Sequence, residues 1–162
     1  MNALTHYLRS LSFARQMTLK LLEKIEASPD AQKILGWRPG PGRAHIAWQL
    51  MHIGVTDDRY LHIRILNGQP VWPELSKRFG GGSTPDDNIP SLQEIRKTLD
   101  EARKKLVAFI ESSDPAKLDE KPFPDAQRTL RESFELLAWH EAHHQGQAHI
   151  TLNLYHATHG AK

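Results

Sequence analysis

The sequence predicts an all-α protein, a four-helix bundle with a long crossover between helices two and three. Apolar residues recur at three- and four-residue spacings in four long stretches, and strand-like alternation is hard to find. Four helices of comparable length pack together as a bundle. A chain of 162 residues has the length of one ordinary domain. We therefore predict a single bundle domain over residues 1–162.

The first two helical stretches have recognisable ends. The first covers residues 3–27 and ends at Ser28-Pro29, because proline cannot continue a helix. The second covers residues 43–66, follows the run Pro39-Gly40-Pro41-Gly42 and ends at Asn67-Gly68, a typical C-terminal signal. Its apolar residues spread around most of the helix circumference, which predicts apolar surface beyond one bundle-facing stripe.

The third and fourth stretches each begin with a capping box. Ser91 with Glu94 opens the third, which ends before Asp114-Pro115, and Thr129 with Glu132 opens the fourth. In a capping box the side chain of the first residue accepts a hydrogen bond from the backbone N–H three residues later. The acidic side chain of that later residue accepts a hydrogen bond from the backbone N–H of the first residue. These two helix starts are therefore the best defined in the chain.

Two connections are longer than bundle loops usually are, residues 69–90 and 117–127. The first carries Trp72, Phe79 and the glycines at 80, 81 and 82. It is interpreted either as a surface crossover or as a lid in which Trp72 covers a substrate and the glycines form the hinge. The second contains Pro122 and Pro124, which exclude a helix there.

Composition restricts the classes of function. The chain has no cysteine, so any bound metal must take nitrogen or oxygen ligands. The formal charge of +2 comes from interspersed acids and bases, which does not indicate nucleic-acid binding. The N-terminal region lacks the continuous apolar stretch of a signal peptide or membrane span. We therefore expect a soluble cytoplasmic protein that acts on a small-molecule substrate, without a nucleic-acid or membrane partner.

The run from Trp139 to Gln147 contains three of the ten histidines and predicts a metal site. His140 and His144 lie one helical turn apart on the same face, about 6 Å between Cβ atoms. The sequence H-E-x-x-H is also found in metalloproteases, but their longer pattern requires glycine and histidine one residue later than Gly146 and His149. Gln147 points within about 60° of the pair and is a candidate substrate contact or ligand support. The alternative is a buried histidine pair that shares hydrogen bonds.

A third ligand is expected from helix two. His52 lies in its most apolar part, where an unpartnered histidine would be costly, whereas His45 lies near the helix start and can be exposed at little cost. One ion cannot take both, because they stand about 10 Å apart along the axis. We choose His52. Arg59 points within about 20° of His52 and either binds an anionic group at the pocket mouth or is an ordinary surface arginine.

The pairing of Trp48-Gln49-Leu50-Met51-His52-Ile53 with His140-x-x-x-His144-x-Gly146-Gln147 resembles the DinB/YfiT-like group of metal-binding four-helix bundles. The resemblance extends over essentially the whole chain, and the long crossover of the family matches residues 69–90. It implies that His52, His140 and His144 hold a divalent metal, commonly zinc or nickel, with water or substrate at the open positions. Members include thiol-S-transferases and isomerases that use low-molecular-weight thiols, which implies such a thiol as a cosubstrate.

The residues themselves indicate a similar chemistry. Three neutral imidazoles and an open position are the arrangement of catalytic zinc, which activates bound water or stabilises a thiolate. Glu141 is a candidate general base from its motif position, or else it forms a helix–helix salt bridge, because it points about 100° from His140. Metal affinity should fall as pH drops through about 6.5.

Three classes of function remain open at this point. The first is a metal-dependent enzyme, a thiol-S-transferase or a hydrolase, the second a metal-bound stress-response or ligand-binding module without turnover, and the third a bundle that binds no metal. We also predict a homodimer that pairs helix faces. Its basis is the additional apolar surface of helix two, at Trp48, Val55, Ile65 and Leu66, together with the habit of the family that the chain resembles.

Overall fold

The computed structural model describes residues 3–160 and contains no strand among them, which confirms the predicted all-α class. Four long helices form the bundle, and two short ones lie in the connections. No helix in this range is both long and apolar enough to cross a membrane. The helices are α1 (Ala3–Glu26), α2 (Ala31–Gly36), α3 (Ile46–Arg59), α4 (Pro73–Phe79), α5 (Leu92–Ser112) and α6 (Leu130–His159).

The helix ends follow the local chemistry of the sequence. Both predicted capping boxes form, at Ser91 before α5 and at Thr129 before α6. Helix α3 continues into one wide turn, residues Tyr60–Ile65, whose π-helical character is shown by a 2.9 Å bond from the Leu66 N–H to the Leu61 carbonyl, five residues earlier. Asn67 then adopts the left-handed conformation at φ 54° and stops the helix at the predicted place.

Helix α3 is the central helix of the bundle. Every residue from Ile46 to Asp58 is buried, and α3 packs against both α5 and α6 while α1 packs against α6. The apolar residues around its circumference are therefore covered within one chain: Trp48, Val55 and Ile65 are buried, and only Leu66 is exposed. The homodimer is predicted from apolar surface at four residues, and three of these are buried within the chain. The homodimer itself stays a prediction, which sedimentation at micromolar concentration tests.

Two apolar clusters fill the bundle, one on each side of a charged layer. One cluster contains Leu22, Leu50 and Ile95, and the other contains Leu11, Leu106 and Phe134. Between them, each of the four long helices contributes a buried charged side chain: Arg15, Asp57, Arg103 and Glu141. The core is thus apolar at both ends and ionic in the middle.

The connection over residues 69–90 folds back onto the bundle as a short helix. Pro73 opens α4, where its missing N–H is no loss, and Phe79 at its end is 1% exposed within the apolar core. Seven residues are too few to show helical periodicity in the sequence, which is why α4 was not predicted. The packing of Phe79 fixes the position of its own backbone carbonyl beside α3.

Gly54 allows the close approach of α3 and α5. A Cβ at Gly54 would lie 3.1 Å from the backbone carbonyl of Thr98, whereas a Cβ at Gly146 on α6 would have no neighbour within 4 Å. We expect Gly54→Ala to lower the free energy of unfolding, because overpacking of about 1–3 kcal/mol exceeds the gain in helix propensity of about 1 kcal/mol. Gly146→Ala should raise it by about that propensity difference. Denaturant titration of both variants measures this, and equal stabilisation by both would contradict the close packing.

Candidate metal centre

His52 is held in a fixed orientation by two neighbours. It lies in the middle of α3 and is 6% exposed. Its Nδ1 donates to the Phe79 carbonyl oxygen at 2.6 Å, and the Trp48 ring stacks on it at 4.6 Å with an interplanar angle of 11°. A proton on Nδ1 leaves Nε2 with a free lone pair. The sequence thus folds so that one defined nitrogen of His52 faces α6.

His140 and His144 complete a cluster with His52. They follow each other by one turn of α6, and one ligand nitrogen from each of the three rings lies within 4.8 Å of the others. His140 Nε2 is 3.0 Å from His52 Nε2. His144 Nδ1 donates to Gln49 Oε1 at 2.5 Å, which directs its Nε2 lone pair outward from that bond. The structure therefore brings together the three histidines that the sequence singled out.

Burial keeps the three imidazoles neutral. Burial and the neighbouring histidines lower the pKa of both His140 and His144 to about 3. Burial, opposed by the hydrogen bond to Phe79 and assisted by the positive charge of Arg59, also lowers the pKa of His52. A neutral imidazole is the form that ligates metal. All three imidazoles of the cluster are thus uncharged at neutral pH.

The donor set fits a divalent cation. Two nitrogens that share one ion at about 2.0–2.1 Å lie at most about 4.2 Å apart. The 3.0 Å between His52 and His140 satisfies this, and the three ligand nitrogens together lie within 4.8 Å of one another. The Nδ1 bonds of His52 and His144 are of the kind that orients metal-ligating histidines. Without an ion, the His140–His52 contact serves as a hydrogen bond with His140 as donor, the alternative that the sequence also left open.

A cavity of about 410 Å³ opens beside His52 and His140. Three arginines lie among its other lining residues, and no aspartate or glutamate of the described chain lines it. The other lining residues are Thr56, Arg59, Tyr60, Arg64, Gly81, Gln127, Arg128 and Leu136. Arg59 therefore lies where the sequence indicated, in the same cavity as His52. A small molecule could enter here and reach the histidine cluster.

Glu141 lies in the charged layer of the core and is 1% exposed. Its Oε1 accepts from Arg15 Nε at 2.7 Å and from the Thr18 hydroxyl at 2.8 Å, and its Oε2 accepts from Arg103. Both oxygens are thus occupied, and neither reaches the cavity. Of the two interpretations of Glu141, the structure shows the helix–helix salt bridge.

The two carboxylates of this layer differ in their environment. Burial would raise the pKa of Glu141, but the charges of Arg15 and Arg103 outweigh it and lower that pKa. Burial raises the pKa of Asp57 despite the same arginines. Glu141 accepts three hydrogen bonds through both oxygens, whereas Asp57 accepts two through Oδ2 alone, and the negative charge of Glu141 raises the pKa of Asp57 further. Two arginines and two carboxylates nevertheless balance in charge.

His45 is not a ligand but the cap of α3. It is 0% exposed, which corrects the expectation that a histidine there is exposed. Its Nδ1 accepts from the Trp48 N–H at 3.0 Å, and its Nε2 donates to the Asp86 carbonyl oxygen at 3.0 Å. Because α3 begins at Ile46 and not at residue 43, His45 takes the capping position.

Gln147 and Trp72 do not line the cavity beside the histidines. Gln147 Nε2 is 2.7 Å from His143 Nε2, and a hydrogen bond to His144 partly offsets the lowered pKa of His144, as expected of a residue that supports a ligand. Gln147 also lines another cavity, together with Gln49. Trp72 lines a different cavity between α4 and α5, with the Lys105 ammonium 5.6 Å from its ring centroid. From the connection that carries Trp72, only Gly81 reaches the cavity beside the histidines.

Sequence reasoning did not single out Gln49 or the Phe79 carbonyl. Gln49 precedes His52 by three residues, so a search for polar partners on the same helix face would have found it. The backbone carbonyl carries no side-chain signal, and only the fold of α4 places it.

A helical bundle with a three-histidine cluster defines the class of this protein. A sequence profile described as the DinB superfamily matches residues 10–148. The chain therefore belongs to the DinB superfamily, and the cluster fits a metal-binding member of it. No match is found among curated proteins.

We expect Glu141→Ala to lower the free energy of unfolding by about 3–5 kcal/mol, because it leaves Arg15 and Arg103 buried with one carboxylate between them. Glu111→Ala, at an exposed position of α5, should change it by less than about 0.5 kcal/mol. Urea unfolding followed by circular dichroism compares the two. A Glu141→Ala variant with unchanged stability and lost activity would instead indicate a catalytic carboxylate.

Proposed function

We propose that this chain is a metal-dependent enzyme that acts on small molecules, with His52, His140 and His144 as the ligands of one zinc or nickel ion. The observation that carries the proposal is the neutral three-histidine cluster, of which His52 and His140 line a cavity of about 410 Å³. When bound, a divalent cation there would supply a Lewis acid with positions open to a substrate. A location in the cytoplasm is part of the proposal.

Within this proposal, thiol transfer is favoured over hydrolysis. Hydrolysis needs a group that takes the proton of the attacking water, and no carboxylate of the described residues lines the cavity. A thiol ionises at a pKa of about 8.5, far more readily than water, and the thiolate is stabilised by positive charge. Arg59, Arg64 and Arg128 supply such charge from the cavity wall. A low-molecular-weight thiol is therefore the proposed cosubstrate.

The second candidate is a metal-bound ligand-binding or stress-response module without turnover. The same absence of a carboxylate in the cavity supports it, because proton transfer then depends entirely on the substrates. A turnover assay separates the two candidates.

The first experiment measures metal content. Protein purified without a histidine tag should contain one zinc or nickel ion per chain, and His52→Ala, His140→Ala and His144→Ala should each lower the affinity at least about tenfold. His143→Ala is the matched control: His143 is exposed and its ring bonds Gln147, so metal content should not change. Unchanged metal content in all three ligand variants would refute the proposed centre.

The second experiment measures metal affinity against pH. From about pH 7.5 to about pH 5.5, three ordinary imidazoles would lower the affinity about a thousandfold. His140 and His144, with a pKa of about 3, take up no proton in that range, so we expect a decrease of about tenfold or less. We therefore expect most of the decline in metal affinity at a pH below about 6.5, the value near which the sequence alone places it. Competition with a chelator indicator at each pH measures it, and a thousandfold decrease would contradict the buried, neutral cluster.

The third experiment measures turnover. Zinc-loaded protein should accelerate the consumption of low-molecular-weight thiols by electrophilic substrates, measured as loss of free thiol, and His52→Ala should abolish the acceleration. The same protein is screened against esters and amides. Metal-loaded protein that accelerates neither reaction would decide for the module without turnover.

A further inference from the structure

The cavity beside the histidine cluster contains three arginines and no acid among the residues that the structure describes. Arg59 and Arg64 come from the end of α3 and its wide turn, and Arg128 comes from the connection before α6. Like charges that share one cavity repel one another, and a bound anion would relieve that repulsion. In the core, by contrast, the two buried arginines each contact two carboxylates.

Arg59 is fixed in this cavity by its surroundings. Its Nη1 donates to the Ser76 carbonyl oxygen at 3.3 Å, and its guanidinium lies against Gly80. A Cβ at Gly80 would clash with the Ser76 backbone carbonyl oxygen and would lie 2.8 Å from Arg59 Nη1, so glycine is the residue that fits here. Arg59 and His52 line the same cavity. An anion bound by Arg59 would therefore lie close to the histidine cluster.

The wide turn of α3 brings Arg64 to the same side as Arg59. In an α-helix, residues five apart point about 140° away from each other. In a π-helical turn the backbone bonds join residues five apart, and such residues point in similar directions. The turn over Tyr60–Ile65 thus places Arg64 on the cavity wall that also contains Arg59. Single π-helical turns occur often at functional sites.

Arg64 and Arg128 are exposed and make no ion pair or hydrogen bond with the described residues. A second cavity of about 210 Å³ adjoins the first. The two cavities share four lining residues: Tyr60, Arg64, Gln127 and Arg128. Asp125 lines that second cavity without forming an ion pair with either arginine. The guanidinium donors of both residues are therefore available to a ligand that reaches across the boundary.

We propose that the substrate or its thiol partner carries an oxyanion, a carboxylate or a phosphate, remote from its reacting group, and that Arg59, Arg64 and Arg128 bind it. This inference rests on the proposed function for the position of the reacting group. Guanidinium groups bind both oxyanions through paired N–H donors, which accounts for arginine in place of lysine. The anion then holds the molecule so that its other end reaches the histidine cluster.

The test compares two thiols of similar size on cobalt-loaded protein, mercaptosuccinate with two carboxylates and neutral thioglycerol. Thiolate-to-cobalt absorption reports binding of each. The wild type should bind mercaptosuccinate more tightly, and Arg64→Gln or Arg128→Gln should each reduce that preference about tenfold. Arg96→Gln removes a half-buried arginine that pairs with Glu26 and does not line the cavity, so the preference should persist. Chelation of cobalt by the carboxylates alone would leave the preference unchanged in every variant and overturn the inference.

A second titration does not depend on metal. Succinate and inorganic phosphate are added to metal-free protein, and binding is followed by chemical-shift changes. Either anion should bind in the wild type and about tenfold more weakly in the Arg64→Gln and Arg128→Gln variants, with Arg64→Lys retaining part of the affinity. Tighter binding of one anion identifies which oxyanion the site prefers. If cobalt does not bind but these anions do, the proposed function fails and the anion site stands; if neither anion binds, the inference fails.

Discussion

The buried ionic layer sets the register of the four long helices. Arg15, Asp57, Arg103 and Glu141 each come from a different helix and contact one another between two apolar clusters. Apolar contacts tolerate sliding, but a shift along the helix axis would leave charges buried without partners. Glu141 follows His140 directly, and Asp57 follows His52 by five residues. The same register that pairs the charges therefore aligns the histidines of α3 and α6.

The two groups of arginines in this chain have opposite environments. In the core, each guanidinium contacts two carboxylates and a backbone carbonyl, so its donors are satisfied. In the cavity, the side chains of Arg64 and Arg128 bond neither a carboxylate nor a backbone carbonyl of the described residues. The fold balances charge closely in its interior, whereas the arginines in the cavity beside the histidines keep guanidinium donors free for a ligand. Structure and proposed chemistry thus agree on where an anionic molecule would bind.

Much of this arrangement could be predicted from the sequence, and what could not has physical causes. Helical periodicity places His140 and His144 on one face, and the apolar surroundings of His52 mark a histidine that needs a partner. The same reasoning failed for His45, because a boundary misplaced by three residues turned a cap into an apparently exposed position. Periodicity also assumes α-helical geometry, so it could not place Arg64 beyond the π-helical turn, nor Arg128 in an irregular connection.

The position of Glu141 shows why a motif defines chemistry only within a fold. In H-E-x-x-H the residue after the first histidine points about 100° away from it, and in this bundle that direction leads between the helices. The cavity is left without a carboxylate, and this limits the reactions that it can serve. Water, whose pKa lies far above neutral, requires strong activation and a proton acceptor, whereas a thiol with a pKa of about 8.5 needs only a favourable potential. A cavity lined by arginines provides that potential, and it would hold an anionic thiol by the same charges.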